Sequence, residues 1–386
     1  MGLVTPRPSR LVRRLPLLAA ALVALLAGLW AGLLRLGLDL PALRSPLAAE
    51  HGPLLVLGFL GTQIGLERAV ALRRGWAYAA PTAAAAGALW LIVGLPADAG
   101  RALLAVGGAA LVVVFVALHR LQPSWHNVVM GLGAVAWLVG ALVWLDGAAV
   151  ATVVPWLAAF LVLTIVGERL ELSRMRRPSP AVRGALLGAV AVFGAGVVAS
   201  GPWPQVGVRL AGAGLLGQAL WLARHDIARR TIRVPGATRY MAIALIAGYG
   251  WLAVAGGVWL VDGTLSGGGF AYDAMVHAIF LGFVFSMVFA HAPVIVPAVL
   301  GVRLPFSPAM YGPLVALHVS LAIRLAGDAA GSTTAWQWGG VLNEVAILAF
   351  VAVAVWSAVR ARRTAAREPN AAPARPLRGQ TVARRS

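Results

Sequence analysis

Two of the seven histidines, His51 and His277, are the residues whose type and placement point most directly to chemistry. The chain has no cysteine, so disulfides, thiolate-ligated haem and iron–sulfur clusters are excluded. Any metal must rest on imidazole, thioether, carboxylate, phenol or carbonyl groups. His277 lies near the start of the apolar stretch 272–300, YDAMVHAIFLGFVFSMVFAHAPVIVPAVL, and His291 lies toward its end. On a regular α-helix their separation falls about 40° short of four turns and rises about 21 Å. The spacing therefore predicts two imidazoles on one face, spanning most of a ~30 Å hydrocarbon core. Ionisable side chains at such depth are costly and face the protein interior, so the pattern predicts a metal or haem site.

The elements that must position these residues are transmembrane helices. Hydrophobic residues make up 60% of the sequence, more than a soluble fold of 386 residues can hide. The expected class is all-α, a polytopic integral membrane protein of about twelve helices forming one domain over residues 1–363. The apolar runs are 15–34, 51–66, 76–95, 102–118, 127–145, 150–167, 182–200, 206–223, 241–261, 272–300, 310–325 and 341–359. The first run follows Arg13-Arg14 but is longer than the core of a signal peptide and lacks a cleavage site, so it is read as helix one. Residues 364–386, rich in Arg, Pro and Ala, read as a disordered basic tail.

The net charge of +19 comes from arginine alone, since there is no lysine. The arginines cluster between apolar runs, which excludes a nucleic-acid surface and points to loops obeying the positive-inside rule. With the loops assigned alternately, all but five of the 32 basic residues fall on the side of the termini. The exceptions are Arg35, Arg44, Arg101, Arg209 and Arg324. Both termini are thus expected in the cytoplasm, and the abundance of Ala, Gly and Arg suggests a bacterial inner membrane.

Even-numbered helices then run from outside to inside. His51 opens helix two and His277 lies about one turn past Asp273 in helix ten, so both sit at similar depth near the outer surface. One reading is axial ligation of a single haem iron by two imidazoles, with Glu50 or Asp273 orienting the second ring nitrogen. The other is two interfacial histidines hydrogen-bonded to carbonyls. Each is followed by Leu-Gly-Phe, and Gly58 and Gly282 would let either a helix or a flat macrocycle approach. His291 is expected to serve a second metal centre, a copper or a second haem, with His318, His119 or His126 as partners. Pro293 and Pro297 should kink or end its helix. Glu344 is expected to pair with Arg324 or to carry protons. Helices two and six end alike, in Gly65-Leu66-Glu67-Arg68 and Gly167-Glu168-Arg169. The ends predict an ion pair at the cytoplasmic boundary and suggest a four-helix repeat equating helices two, six and ten.

Twelve helices with a histidine near the outer end of helices two and ten resemble the catalytic subunit of haem-copper oxidases, a fold of three four-helix arcs. The stretch HAIFLGFVFSMVFAHAP, residues 277–293, is similar to the NnrS family of membrane haem and copper proteins linked to nitrogen-oxide metabolism. The resemblance implies a low-spin haem, of b type, at His51 and His277. It does not extend to the oxygen-reducing copper centre, whose ligands lie on helices six and seven, because 150–167 and 182–200 contain neither His nor Tyr. Electron transfer with a redox partner, or handling of nitric oxide, is the function expected. The competing expectation is a twelve-helix secondary transporter, since 66–75 resembles the charged loop of major-facilitator proteins. A structural subunit of a larger membrane complex is compatible with the same features.

Overall fold

A chain inside a bilayer must satisfy its backbone hydrogen bonds internally, and the helix does so within one segment. The structure, a computed structural model, describes residues 8–41, 47–174, 178–265 and 268–367. Among them there is no strand, and twelve helices are long and apolar enough to cross a membrane. They are α1 (Arg14–Arg35), α2 (Leu47–Leu72), α3 (Gly75–Val93) and α4 (Ala97–Leu121). Next come α5 (Trp125–Leu145), α6 (Val150–Ser173), α7 (Pro180–Ala199) and α8 (Pro204–His225). The last four are α9 (Ala237–Asp262), α10 (Phe270–Leu300), α11 (Pro308–Ala329) and α12 (Thr333–Thr364). The protein is an all-α, multi-pass membrane protein, and each predicted run coincides with one of these helices, 76–95 and 182–200 overrunning theirs by two residues and one. Arg44, and the predicted tail from residue 368 onward, lie outside the described residues.

Helices adjacent in sequence pack side by side, while α2, α6 and α10 also touch one another in the middle of the bundle. Burial agrees with that placement: α6 and α2 are the most buried of the twelve helices and α7 and α12 the least. These central helices are apolar all round, as a helix enclosed by other helices must be. A four-helix periodicity therefore has a structural counterpart, with every fourth helix brought to the centre.

The three central helices are laced together at the end carrying Glu67 and Arg68. Arg68 of α2 forms a close ion pair with Glu168 of α6 and lies 3.3 Å from its own neighbour Glu67. The expected pairing of the two Glu-Arg ends thus runs between helices. Arg169, the next residue on α6, reaches α10 and places Nη2 2.7 Å from Nε2 of His291.

Both histidine-bearing central helices depart from α geometry just after the histidine. In α2 a π-helical segment covers Leu54–Leu60, three residues past His51; in α10 one covers Ala278–Phe285, directly after His277. Such wider turns are rare and concentrate at functional sites. Pro293 and Pro297 lie inside α10, which continues to Leu300, so they do not end it.

Candidate functional site

His51 and His277 line one cavity of about 710 Å³, at the end of the bundle that the arginine asymmetry assigns to the outside. The wall comes from α1, α2, α6, α10, α11 and α12, with Arg101 of α4 and Trp144 of α5.

The hydrogen bonds of the two rings fix what each can do. Nδ1 of His51 lies 2.9 Å from the carbonyl oxygen of Gly28, and Nδ1 of His277 lies 3.0 Å from that of Asp273. A carbonyl can only accept, so the proton of each neutral ring sits on Nδ1. Nε2 then carries a lone pair in both, and neither Nε2 has a hydrogen-bond partner among the described residues. That tautomer is the one an imidazole needs to ligate through Nε2.

A further shell holds His277. The Asp273 carboxylate Oδ1 is 3.2 Å from Nδ1 of His277, and both Asp273 oxygens accept from Arg324, at 2.9 and 2.7 Å. The guanidinium clamps the carboxylate and the carboxylate backs the imidazole, an arrangement that orients metal-ligating histidines. Asp273 is one of the two carboxylates expected to do this.

Close approach of α1 to His51 depends on two glycines one turn apart. A Cβ on Gly28 would sit 2.6 Å from Leu55, and a Cβ on Gly32 would sit 2.7 Å from Oε1 of Glu344 and 3.1 Å from Cε1 of His51. Gly28 thus lets its carbonyl reach the His51 ring, and Gly32 clears room for that ring. Of the two partners the sequence left open for Gly58 and Gly282, a helix or a flat macrocycle, the structure places a helix against each. Gly58 packs against Ala88 and Gly282 against Trp251, so both serve helix contacts. The spacing of Gly28 and Gly32 was the available signal.

Glu344 also lines the cavity. The expected pairing with Arg324 does not form, because Asp273 occupies that guanidinium. Glu344 has no ion pair or hydrogen bond among the described residues, so its carboxyl faces the cavity beside Gly32.

Of the residues expected at a second metal centre, His291 has both nitrogens engaged, while Nδ1 of His119 and Nε2 of His318 are buried without a hydrogen-bond partner among the described residues. Nδ1 of His291 lies 2.7 Å from the Met287 carbonyl, and Arg169 donates to Nε2, so both ring nitrogens are occupied. Eight π-helical residues separate His277 from His291, so the α-helical phase that put them on one face does not apply. Nδ1 of His318 accepts from Trp251 Nε1 at 2.9 Å, which puts its proton on Nε2. His126 lies 3.0 Å from Ser124 Oγ, and the His225 ring packs on Trp221. Among the described residues no group of three or more His, Asp or Glu is arranged to hold a metal ion.

Residues 14–359 match a family model described as a domain of unknown function (DUF8744), and the chain belongs to that family. No curated protein and no solved structure matches it.

Proposed function

We propose that this is a haem-binding membrane protein, similar to the NnrS family, in which His51 and His277 ligate one b-type haem near the outer face and serve electron transfer. The observation that carries the reading is the pair of unbonded Nε2 atoms in one cavity of about 710 Å³. Two imidazoles are too few for a bare zinc or copper ion, which takes three or four protein ligands. They are the right number for an iron that already has four macrocycle nitrogens. The volume falls in the range of cofactor sites, about 300–1,000 Å³, and far exceeds what an ion needs.

When bound, the haem supplies a one-electron iron couple. The chain's own residues orient the rings through Gly28, Asp273 and Arg324. Arg35 and Arg101 on the wall would offer cations to haem carboxylates. With both His51 and His277 as ligands, the iron would have no position open for a diatomic gas, which favours electron transfer over direct binding of nitric oxide. A copper or second haem at His291 and His318 is not supported, because both nitrogens of His291 and Nδ1 of His318 are engaged. Inner-membrane location with both termini cytoplasmic belongs to the same reading, supported by the arginine count.

The rival is a secondary transporter using the same cavity for its substrate, favoured by Glu344, which has no hydrogen bond among the described residues, and by the irregular turns in α2 and α10. Haem content separates the two. Protein purified from haem-replete cells should carry about one haem per chain by pyridine haemochrome assay. A haem-free, monodisperse preparation would move the transporter to first place.

A further inference from the structure

A second cavity, of about 430 Å³, lies in the other half of the bundle between α1, α2, α10 and α12. Phe285 and Ile347 line both cavities, so the two are neighbours along the membrane normal. Its wall is aliphatic and aromatic with two polar side chains: Gln63 and Arg362.

Gln63 is the informative one. It lies twelve residues past His51, no more than about 18 Å along α2, and about one turn inside the boundary pair Glu67-Arg68. Its carboxamide has no hydrogen-bond partner among the described residues. An amide facing hydrocarbon with its donors and acceptor unmet is costly, so the occupant should carry a hydrogen-bonding group at that depth. Around it are aromatic faces. Phe59 stacks on Phe285 with centroids 6.5 Å apart, and Phe289 stacks on Phe350 at 3.9 Å. These paired rings make an aromatic wall against which a planar ring can pack edge-to-face.

We propose that this cavity binds the headgroup of an isoprenoid quinone, with the Gln63 amide donating to a ring carbonyl. The alternatives fit less well. The wall has no His, Met or carboxylate, so a metal or second haem finds no ligand there. A phospholipid would keep its phosphate at the interface beside Arg362, which is exposed, and turn a hydrocarbon chain toward Gln63. That arrangement leaves the amide unsatisfied, whereas a quinone is neutral, flat and carries an acceptor where the donor is. Its apolar tail leaves along the aliphatic wall of α12. The inference goes beyond the haem reading and does not depend on it, although the shared wall at Phe285 puts the two ligands side by side.

The test is a binding titration of the full-length protein in detergent, using a ubiquinone with a short isoprenoid tail. Haem content is measured in the same samples, so failure of either reading is seen separately. Wild type should bind quinone saturably, about one per chain, and displace any co-purified phospholipid. Gln63→Leu keeps the volume and removes the donor, and should raise Kd about fivefold. Ala354→Trp fills the cavity and should abolish saturable binding, with both variants eluting as wild type does. The inference is overturned if folded wild type shows no saturable binding, if phospholipid stays undisplaced, or if either variant binds with wild-type affinity.

Discussion

At the scale of single residues, the proposed site depends on which nitrogen of each ring is free. The Gly28 and Asp273 carbonyls hold Nδ1 protons and leave two Nε2 lone pairs in one cavity. Asp273→Asn keeps the backbone carbonyl but removes the charge behind His277 and half of the Arg324 clamp. Haem affinity should fall about 10- to 100-fold, the usual effect of losing such a partner, measured by competition with apomyoglobin. Gly32→Val places a branched side chain where the His51 ring and the Glu344 carboxyl now lie. It should lower haem occupancy while leaving the far end of the bundle intact, so that haem falls and thermal stability changes little. Equal haem content in wild type and Gly32→Val would remove α1 from the site. The matched depth of His51 and His277 was legible in the sequence, because arginine asymmetry sets helix direction and direction sets depth. The tautomers, the Arg324 clamp and the partner of His291 were not, since they depend on which side chains meet across helices far apart in sequence.

At the scale of elements, the central helices α2, α6 and α10 are joined by Arg68–Glu168 and by Arg169–His291. The Arg68 side chain is 11% exposed and that of Glu168 20%. Removing one partner of such a pair leaves a buried charge, a loss on the order of 3–5 kcal/mol. Arg68→Ala should therefore lower the melting temperature in detergent more than the Arg68→Ala, Glu168→Ala double variant does. A double variant less stable than the single one would show that the pair does not hold α2 to α6. The Glu-Arg ends were visible in sequence as repeated motifs. The π-helical turns after His51 and His277 were not, because an apolar run reads the same with a wider turn inside it. That omission undid the one-face expectation for His277 and His291, which assumed a uniform α-helix.

At the scale of the whole molecule, twelve helices could be read directly, since a hydrocarbon core demands about 20 apolar residues per crossing and forbids open backbone groups. Their arrangement around α2, α6 and α10 was hinted at by the repeated ends of helices two and six. The cavities between helices have no sequence signature, because they are what packing leaves unfilled. The arginine asymmetry predicts sidedness: reporter fusions after Gly37 and Asp146 should behave as exported, and those after Arg74 and Gly236 as cytoplasmic. An exported fusion at Gly236 would reverse the later helices and separate the depths of His51 and His277.

The most direct measurement is the reduced-minus-oxidised absorption spectrum of purified wild type, His51→Ala and His277→Ala, each confirmed as inserted and monodisperse. One haem held by both residues predicts a narrow α-band in wild type that is lost in each single variant, and a double variant no different from either single one, since two groups acting as a unit are not additive. A wild-type protein from haem-replete cells with no haem band, or a band that survives in either variant, would contradict the account.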